Sequence, residues 1–185
     1  MSYKIVVDSC CELPESLKKD PRFQIVPLGL QVDDWHIIDD ETFDQAEFLR
    51  RVADSKDCPK SSCPSPERFM ESYRTDAEHV YVVTLTAKLS GSYNSAMLGK
   101  SLYEETYGEK KIHVVDSKTA SPGESQIALK AMELEESGLY TFEEIVEKIK
   151  SNDDLVDLFK KDPIKAVEKV LDVDLPDDLI EKIVD

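Results

Sequence analysis

The sequence predicts an α/β fold: a three-layer α/β/α domain with a mainly parallel sheet over residues 1–150, followed by a small helical appendage over residues 151–185. Three observations carry this. Residues 4–8, 80–85 and 111–116 are short runs of β-branched, aliphatic and aromatic residues. They are too short for helices and lack strict alternation, as expected of strands buried on both faces. A polar turn rich in hydroxyls follows each run, and helical apolar spacing then resumes, which is the βα repeat of a parallel sheet. Beyond Ser151 the chain changes character, with 11 acids against 5 bases and only short helical patterns.

The elements can be justified in order. Residues 4–8 form the first strand, and Ser9-Cys10-Cys11-Glu12-Leu13-Pro14 leaves its C-terminal end. Ligand groups cluster beyond such ends in open α/β sheets. Ser9 is placed to contribute there, or with Asp8 to cap the next helix. Residues 23–32 are extended, with a bend expected at Pro27 and Gly29. Thr42-Phe43-Asp44-Gln45 reads as a capping box opening a helix with Phe43, Ala46, Leu49 and Val52 or Ala53 inward. Residues 59–66 hold three prolines, which exclude a helix and stiffen a loop that offers Ser61 and Ser62. Ser65 and Pro66 then start a helix with Phe69, Met70 and Tyr73 on its apolar face.

The central unit is the strand at 80–85, the turn through Leu89-Ser90-Gly91-Ser92, and a helix with Tyr93, Ala96, Met97 and Leu102 on one face. Ser90 stands at the expected N-cap. The N–H groups of Gly91, Ser92 and Tyr93 then offer donors and positive partial charge to an anion, and Gly91 permits close approach. The alternative is a capped helix start that binds nothing. The strand at 111–116 contains His113 and ends at Asp116-Ser117-Lys118-Thr119, again a hydroxyl turn. Ser121 and Pro122 begin a helix with Ile127, Ala131 and Leu134 inward, and Gly138 ends it. Thr141-Phe142-Glu143-Glu144 is a second capping box, with Phe142, Ile145 and Ile149 inward. In the appendage, Asp162-Pro163 and Leu175-Pro176 look like helix starts, and such short helices need a partner surface.

Composition narrows the function. A net charge of −16 over 185 residues argues against nucleic acid and anionic membrane surfaces. There is no membrane-length apolar run and no signal-peptide pattern, so a cytoplasmic location is expected. Cys10, Cys11, Cys58 and Cys63 read as free thiols. Their spacing and the isolated His36, His79 and His113 do not suggest a metal site. The chain has no phosphate-binding G-x-x-x-x-G-K-[ST] motif, no G-x-S-x-G nucleophile elbow and no histidine placed for a triad. The expectation is therefore of a non-enzyme without a cofactor.

Four motifs occur in a fixed order. They are residues 8–14, Lys60-Ser61-Ser62-Cys63-Pro64-Ser65-Pro66, Leu89-Ser90-Gly91-Ser92-Tyr93-Asn94-Ser95-Ala96, and Val114-Val115-Asp116-Ser117-Lys118-Thr119-Ala120-Ser121. Together they resemble the DegV family of bacterial fatty-acid-binding proteins, over about residues 3–150. That family usually reads Thr-Ser-Gln where this chain has Ser61-Ser62-Cys63, and Gly-Thr-Tyr-Gln where it has Gly91-Ser92-Tyr93-Asn94. The resemblance implies a long-chain fatty acid whose carboxylate is held by Ser61 and Ser90, with Ser62, Gly91 and Ser92 nearby and Ser9 and Ser117 in support. It also implies an apolar tunnel for the acyl chain and presentation of the lipid to a separate fatty acid kinase. Family members are roughly half again as long, with a second domain over the ligand; here residues 151–185 stand in that place. The alternative reading is a truncated relative that serves as a protein-interaction module without lipid.

Overall fold

The structure, a computed structural model, describes residues 2–150. Its centre is a four-stranded parallel sheet in the order β2-β1-β6-β7, built from β1 (Tyr3–Asp8), β2 (Phe23–Val26), β6 (His79–Thr84) and β7 (Lys111–Asp116). The two inner strands pair with Tyr3 opposite His79 and Val7 opposite Val83. Every residue of β6 is buried, as are Ile5 to Asp8 of β1. Burial on both faces is why these runs lack alternation.

Helices cover both faces of this sheet. On one face Val6, Val80, Val82, Ile112 and Val114 meet Phe69 and Tyr73 from α3 (Pro66–Ser72) and its C-cap, and Ala96 from α4 (Ser92–Tyr107). The buried Tyr73 hydroxyl donates to the Ala96 carbonyl at 2.9 Å, so the ring's polar end is satisfied. Helices α3 and α4 approach closely at Gly99, where an added Cβ would stand 2.6 Å from the Pro66 carbonyl oxygen. The other face carries α5 (Pro122–Ser137), which packs on β1 and β6 through a stripe including Ile127, Ala131 and Leu134. Gly138 closes α5 at φ 64°, the left-handed turn expected of a terminal glycine. Near the N-terminal end of β6, the Glu135 carboxylate accepts from the Tyr81 hydroxyl at 2.7 Å and contacts His79 Nδ1 at 2.6 Å.

A second sheet was not expected. Three short antiparallel strands, β3 (Gly29–Val32), β4 (Trp35–Ile38) and β5 (Lys60–Ser62), lie in the order β4-β3-β5. The extended region at 23–32 does break at Pro27, but its second half leaves the parallel sheet for this small one. The stretch at 60–62, expected as a loop, is an edge strand with Ser62 opposite Gly29 and Ser61 opposite Leu30.

Two further local expectations change. Helix α2 (Gln45–Asp54) is capped by Asp44, whose carboxylate accepts from the Glu47 N–H at 3.0 Å, rather than by Thr42. It buries no residue, and Leu49, expected inward, is 58% exposed. Phe43 and Phe48 instead pack as a tilted ring pair at 5.5 Å, and Phe48 meets Trp35 at 6.5 Å. By contrast, the second capping box forms as expected. Before α6 (Phe142–Lys150), Thr141 Oγ1 accepts from the Glu144 N–H and the Glu144 carboxylate accepts from the Thr141 N–H. The appendage expected over residues 151–185 lies outside the described residues.

Candidate functional site

The parallel strands β1, β6 and β7 put Ser9, the 85–91 turn and Ser117 at one edge of the sheet, their shared C-terminal end. Hydrogen bonds knit these turns together. Asp8, fully buried at the end of β1, accepts from the Cys10 N–H at 3.1 Å and from the Leu85 N–H at 2.9 Å. Asp116, at the end of β7, accepts from the Ala87 N–H at 3.0 Å. The turn carrying Ser90 is thus held from both neighbouring strands.

The helix after that turn begins at Ser92, with Gly91 rather than Ser90 as its cap residue. Ser90 still serves the helix start, because its hydroxyl oxygen accepts from the Ser92 N–H at 3.1 Å. Of the three N–H groups expected to face a ligand, that of Ser92 is therefore occupied. Those of Gly91 and Tyr93 have no acceptor among the described residues. The Ser92 side chain points inward. It is fully buried, and its oxygen lies 3.0 Å from Ser90 Oγ.

The small sheet brings the second pair of serines to this place. Just past β5, the Cys63 sulfur lies 3.6 Å from Ser95 Oγ in α4. It would stand only 2.9 Å from a Cβ added to Gly91. The exposed strand end bearing Ser61 and Ser62 therefore rests against the start of α4. Side chains alternate along a strand, so Ser61 shares the Cys63 side, while Ser62 turns away. The Ser62 oxygen indeed sits over Gly29, 2.5 Å from where a Cβ would be. Gly91 and Ser95 thus lie against Cys63, Ser61 is on the Cys63 side of its strand, Ser62 faces Gly29, and Ser92 is buried.

The supporting serines are engaged in holding loops. Ser9 Oγ accepts from the Leu28 N–H at 3.0 Å, tying the first turn to the approach of β3. Ser117 donates to the Thr119 carbonyl and accepts from the Thr119 N–H, a closed local turn.

Behind these hydroxyls lies a group the sequence reading missed, Glu124 in the first turn of α5. It is fully buried, and its Oε1 accepts from the Ser121 N–H at 3.0 Å. Its Oε2 has no partner in ordinary hydrogen-bond geometry among the described residues. Burial, and next the adjacent negative charge of Asp8, push the Glu124 carboxyl up to about 8. Burial also raises Asp8, against the hydrogen bonds it accepts from the Leu85 and Cys10 N–H groups. The only signal for Glu124 in the sequence was its place three residues after Ser121, a capping-box spacing. All four cysteines are free, and no cluster of three or more potential metal ligands occurs among the described residues.

A sequence profile described as "Uncharacterised protein, DegV family" matches residues 2–159. The chain belongs to the DegV family. A DegV domain-containing protein of Streptococcus pneumoniae is 36% identical over 151 residues, covering 80% of this chain and 53% of the relative. A DegV family crystal structure from Ruminococcus gnavus, refined with vaccenic acid, superposes with a TM-score of 0.79 at 57% identity, covering 81% of this chain and 54% of that one. The Fatty Acid Kinase (Fak) B3 protein of Streptococcus pneumoniae, loaded with linoleic acid, gives 0.74 at 35% identity, covering 83% and 55%. The DegV chain described here thus spans about half the length of the relatives it matches. Among its described residues no helix is long and apolar enough to cross a membrane.

Proposed function

We propose that this chain binds a long-chain fatty acid without chemical turnover, its carboxylate resting on the hydroxyls of Ser61 and Ser90 and on the N–H groups of Gly91 and Tyr93. The observation that carries this is the contact of Cys63 with Gly91 and Ser95, which sets the end of β5 on the start of α4. An anion there meets two hydroxyls, two N–H groups without an acceptor among the described residues, and the positive end of a sixteen-residue helix. Leu89, 78% exposed beside Ser90, offers apolar surface where an acyl chain leaves the head group. Each methylene removed from water contributes about 0.8 kcal/mol, so most of the affinity comes from the chain and the orientation from the head group. Ser62 and Ser92 act through position rather than contact, and Ser9 and Ser117 by holding their loops. The relatives refined with vaccenic and linoleic acids support the ligand class, and the Fak B3 relative supports delivery of the lipid to a fatty acid kinase. Among the described residues Ser90 contacts the Ser92 hydroxyl and N–H rather than a base, which favours binding over nucleophilic chemistry.

The test is binding of cis-parinaric acid, a fluorescent eighteen-carbon fatty acid. Hydrogen bonds to a charged acceptor contribute about 1.5–3 kcal/mol each, so Ser90→Ala is expected to weaken binding roughly tenfold to a hundredfold. That substitution also removes the oxygen that accepts from Ser92, costing about 1 kcal/mol of stability, so unfolding is measured in parallel. Ser61→Ala, on an exposed edge strand, is expected to weaken binding with little change in stability. Tight wild-type binding that neither substitution alters places the head group elsewhere.

A further inference from the structure

We propose that Cys58 and Cys63 are a site of reversible thiol–disulfide exchange with a low-molecular-weight disulfide, and that the bond they form excludes β5 and so withdraws Ser61 from the head-group site. The inference deepens the proposed function and rests on its reading of Ser61 as a head-group hydroxyl.

The two cysteines flank β5. Cys58 stands two residues before Lys60, and Cys63 directly follows Ser62. Both thiols are free and exposed. The strand holds them apart. Its steps from Lys60 to Cys63 alone span about 10 Å, and Cys58 lies beyond them in the chain. A disulfide needs its two Cα atoms within about 7 Å. The pairing of Ser62 with Gly29, Ser61 with Leu30 and Lys60 with Gln31 is therefore incompatible with the bond. A turn suits it instead, because Pro59 has the fixed φ favoured at the second position of a turn starting at Cys58. Residues 58–63 thus have two exclusive arrangements, a strand with two thiols and a turn with a disulfide.

The strand is easily surrendered. It is three residues long, all of them exposed, and within the described residues it pairs only with β3. Segments with so little buried contact open at small cost. What opening removes is specific. The Cys63 sulfur, 3.6 Å from Ser95 Oγ, seats the end of β5 on α4, and Ser61 rides on that strand. The other two thiols are poor competitors. Cys11 is buried and Cys10 half-buried, burial raises both, and exchange needs a thiolate. In the first step a thiolate of the exposed pair attacks the small disulfide, breaking its S–S bond and releasing one small thiol. In the second, the other thiolate attacks the mixed disulfide, closing the Cys58–Cys63 bond and releasing the second small thiol. The protein loses two electrons and two protons, and the small disulfide gains both.

The experiment equilibrates the full chain in glutathione buffers of stepped potential, with and without saturating cis-parinaric acid. Trypsin cuts after Lys60, between the cysteines, so the bond appears as two joined peptides in the mass spectrum. The oxidised chain is expected to bind about tenfold more weakly, the loss of one hydrogen bond to a charged acceptor, and dithiothreitol to restore it. Linkage is reciprocal, so saturating lipid is expected to make the bond about tenfold easier to reduce, a rise of about 30 mV in its potential. Nuclear Overhauser contacts between residues 60–62 and 29–31 are expected in the reduced chain and lost in the oxidised one. Reduced Cys58→Ser is expected to bind as wild type does, which assigns the loss to the bond rather than to the side chain. No Cys58–Cys63 bond at any potential, an oxidised chain that keeps its cross-strand contacts or its affinity, a potential indifferent to lipid, or weak binding by reduced Cys58→Ser overturns the inference while a Ser61-dependent site stands. Ser61→Ala binding as tightly as wild type, or no binding by the reduced chain, overturns the head-group reading and this inference with it.

Discussion

Glu124 shows how one buried residue affects the stability of the whole protein. In the folded chain it holds its proton to about pH 8, whereas in the unfolded chain it releases it near the ordinary 4.5. Its stabilising contribution is therefore complete below about 4.5 and is lost as pH rises through 8. The slope over that window is about 1.4 kcal/mol per pH unit for one proton. Asp8, also raised, adds in the same direction. The strongly lowered carboxylate, Glu47, acts at the acid end and leaves the window clear. Urea unfolding at pH 5.5, 6.5 and 7.5 is expected to show Glu124→Gln gaining on wild type as pH rises. Parallel lines for the two proteins would mean that Glu124 titrates normally. The sequence announced the hydroxyls but not this carboxyl. A glutamate three residues after a serine reads as a capping group, and nothing in its neighbours reveals that Asp8, more than a hundred residues earlier, stands beside it.

At the scale of elements, the contact of β5 with α4 decides whether the candidate site exists. Gly91 has φ −77°, which any residue adopts, so an alanine there carries no backbone strain. Its Cβ would, however, meet the Cys63 sulfur at 2.9 Å. Gly91→Ala is expected to push the end of β5 away and to weaken fatty-acid binding about tenfold, a displacement of the kind that a single misplaced group costs. Trimming the sulfur should undo the damage: Gly91→Ala with Cys63→Ala is expected to bind nearly as well as wild type. A double variant as weak as the single one would show that Gly91 serves the ligand directly. This contact was invisible in the sequence for a physical reason. Lys60, Ser61 and Ser62 have no apolar member, and their strand conformation comes from pairing with residues 29–31. The buried strands β1, β6 and β7 were legible because burial on both faces demands the β-branched runs they contain. Likewise α5 announced itself through Ser121, Pro122 and Gly138. Helix α2 misled because its apolar residues are spaced for a face that no described residue buries.

For the whole molecule, the order β2-β1-β6-β7 means that the two central strands are adjacent in space but far apart in sequence, with Tyr3 opposite His79. The small sheet and α2 and α3 are all strung between them. Helices α4 and α5 are local and can form early, while the β1–β6 pairing must first close a long loop, which is the slow event in such topologies. The Leu85 bond to Asp8 and the seating of Cys63 on Gly91 both depend on that closure. Refolding followed by stopped-flow should therefore show helical ellipticity recovering ahead of cis-parinaric acid fluorescence, with binding confined to the last phase. Simultaneous recovery would mean that the strand ends are already in place in the collapsed chain. In the cell, a newly made chain would then be unable to capture lipid until its sheet had closed, so the ligand would select finished molecules and leave nascent ones empty.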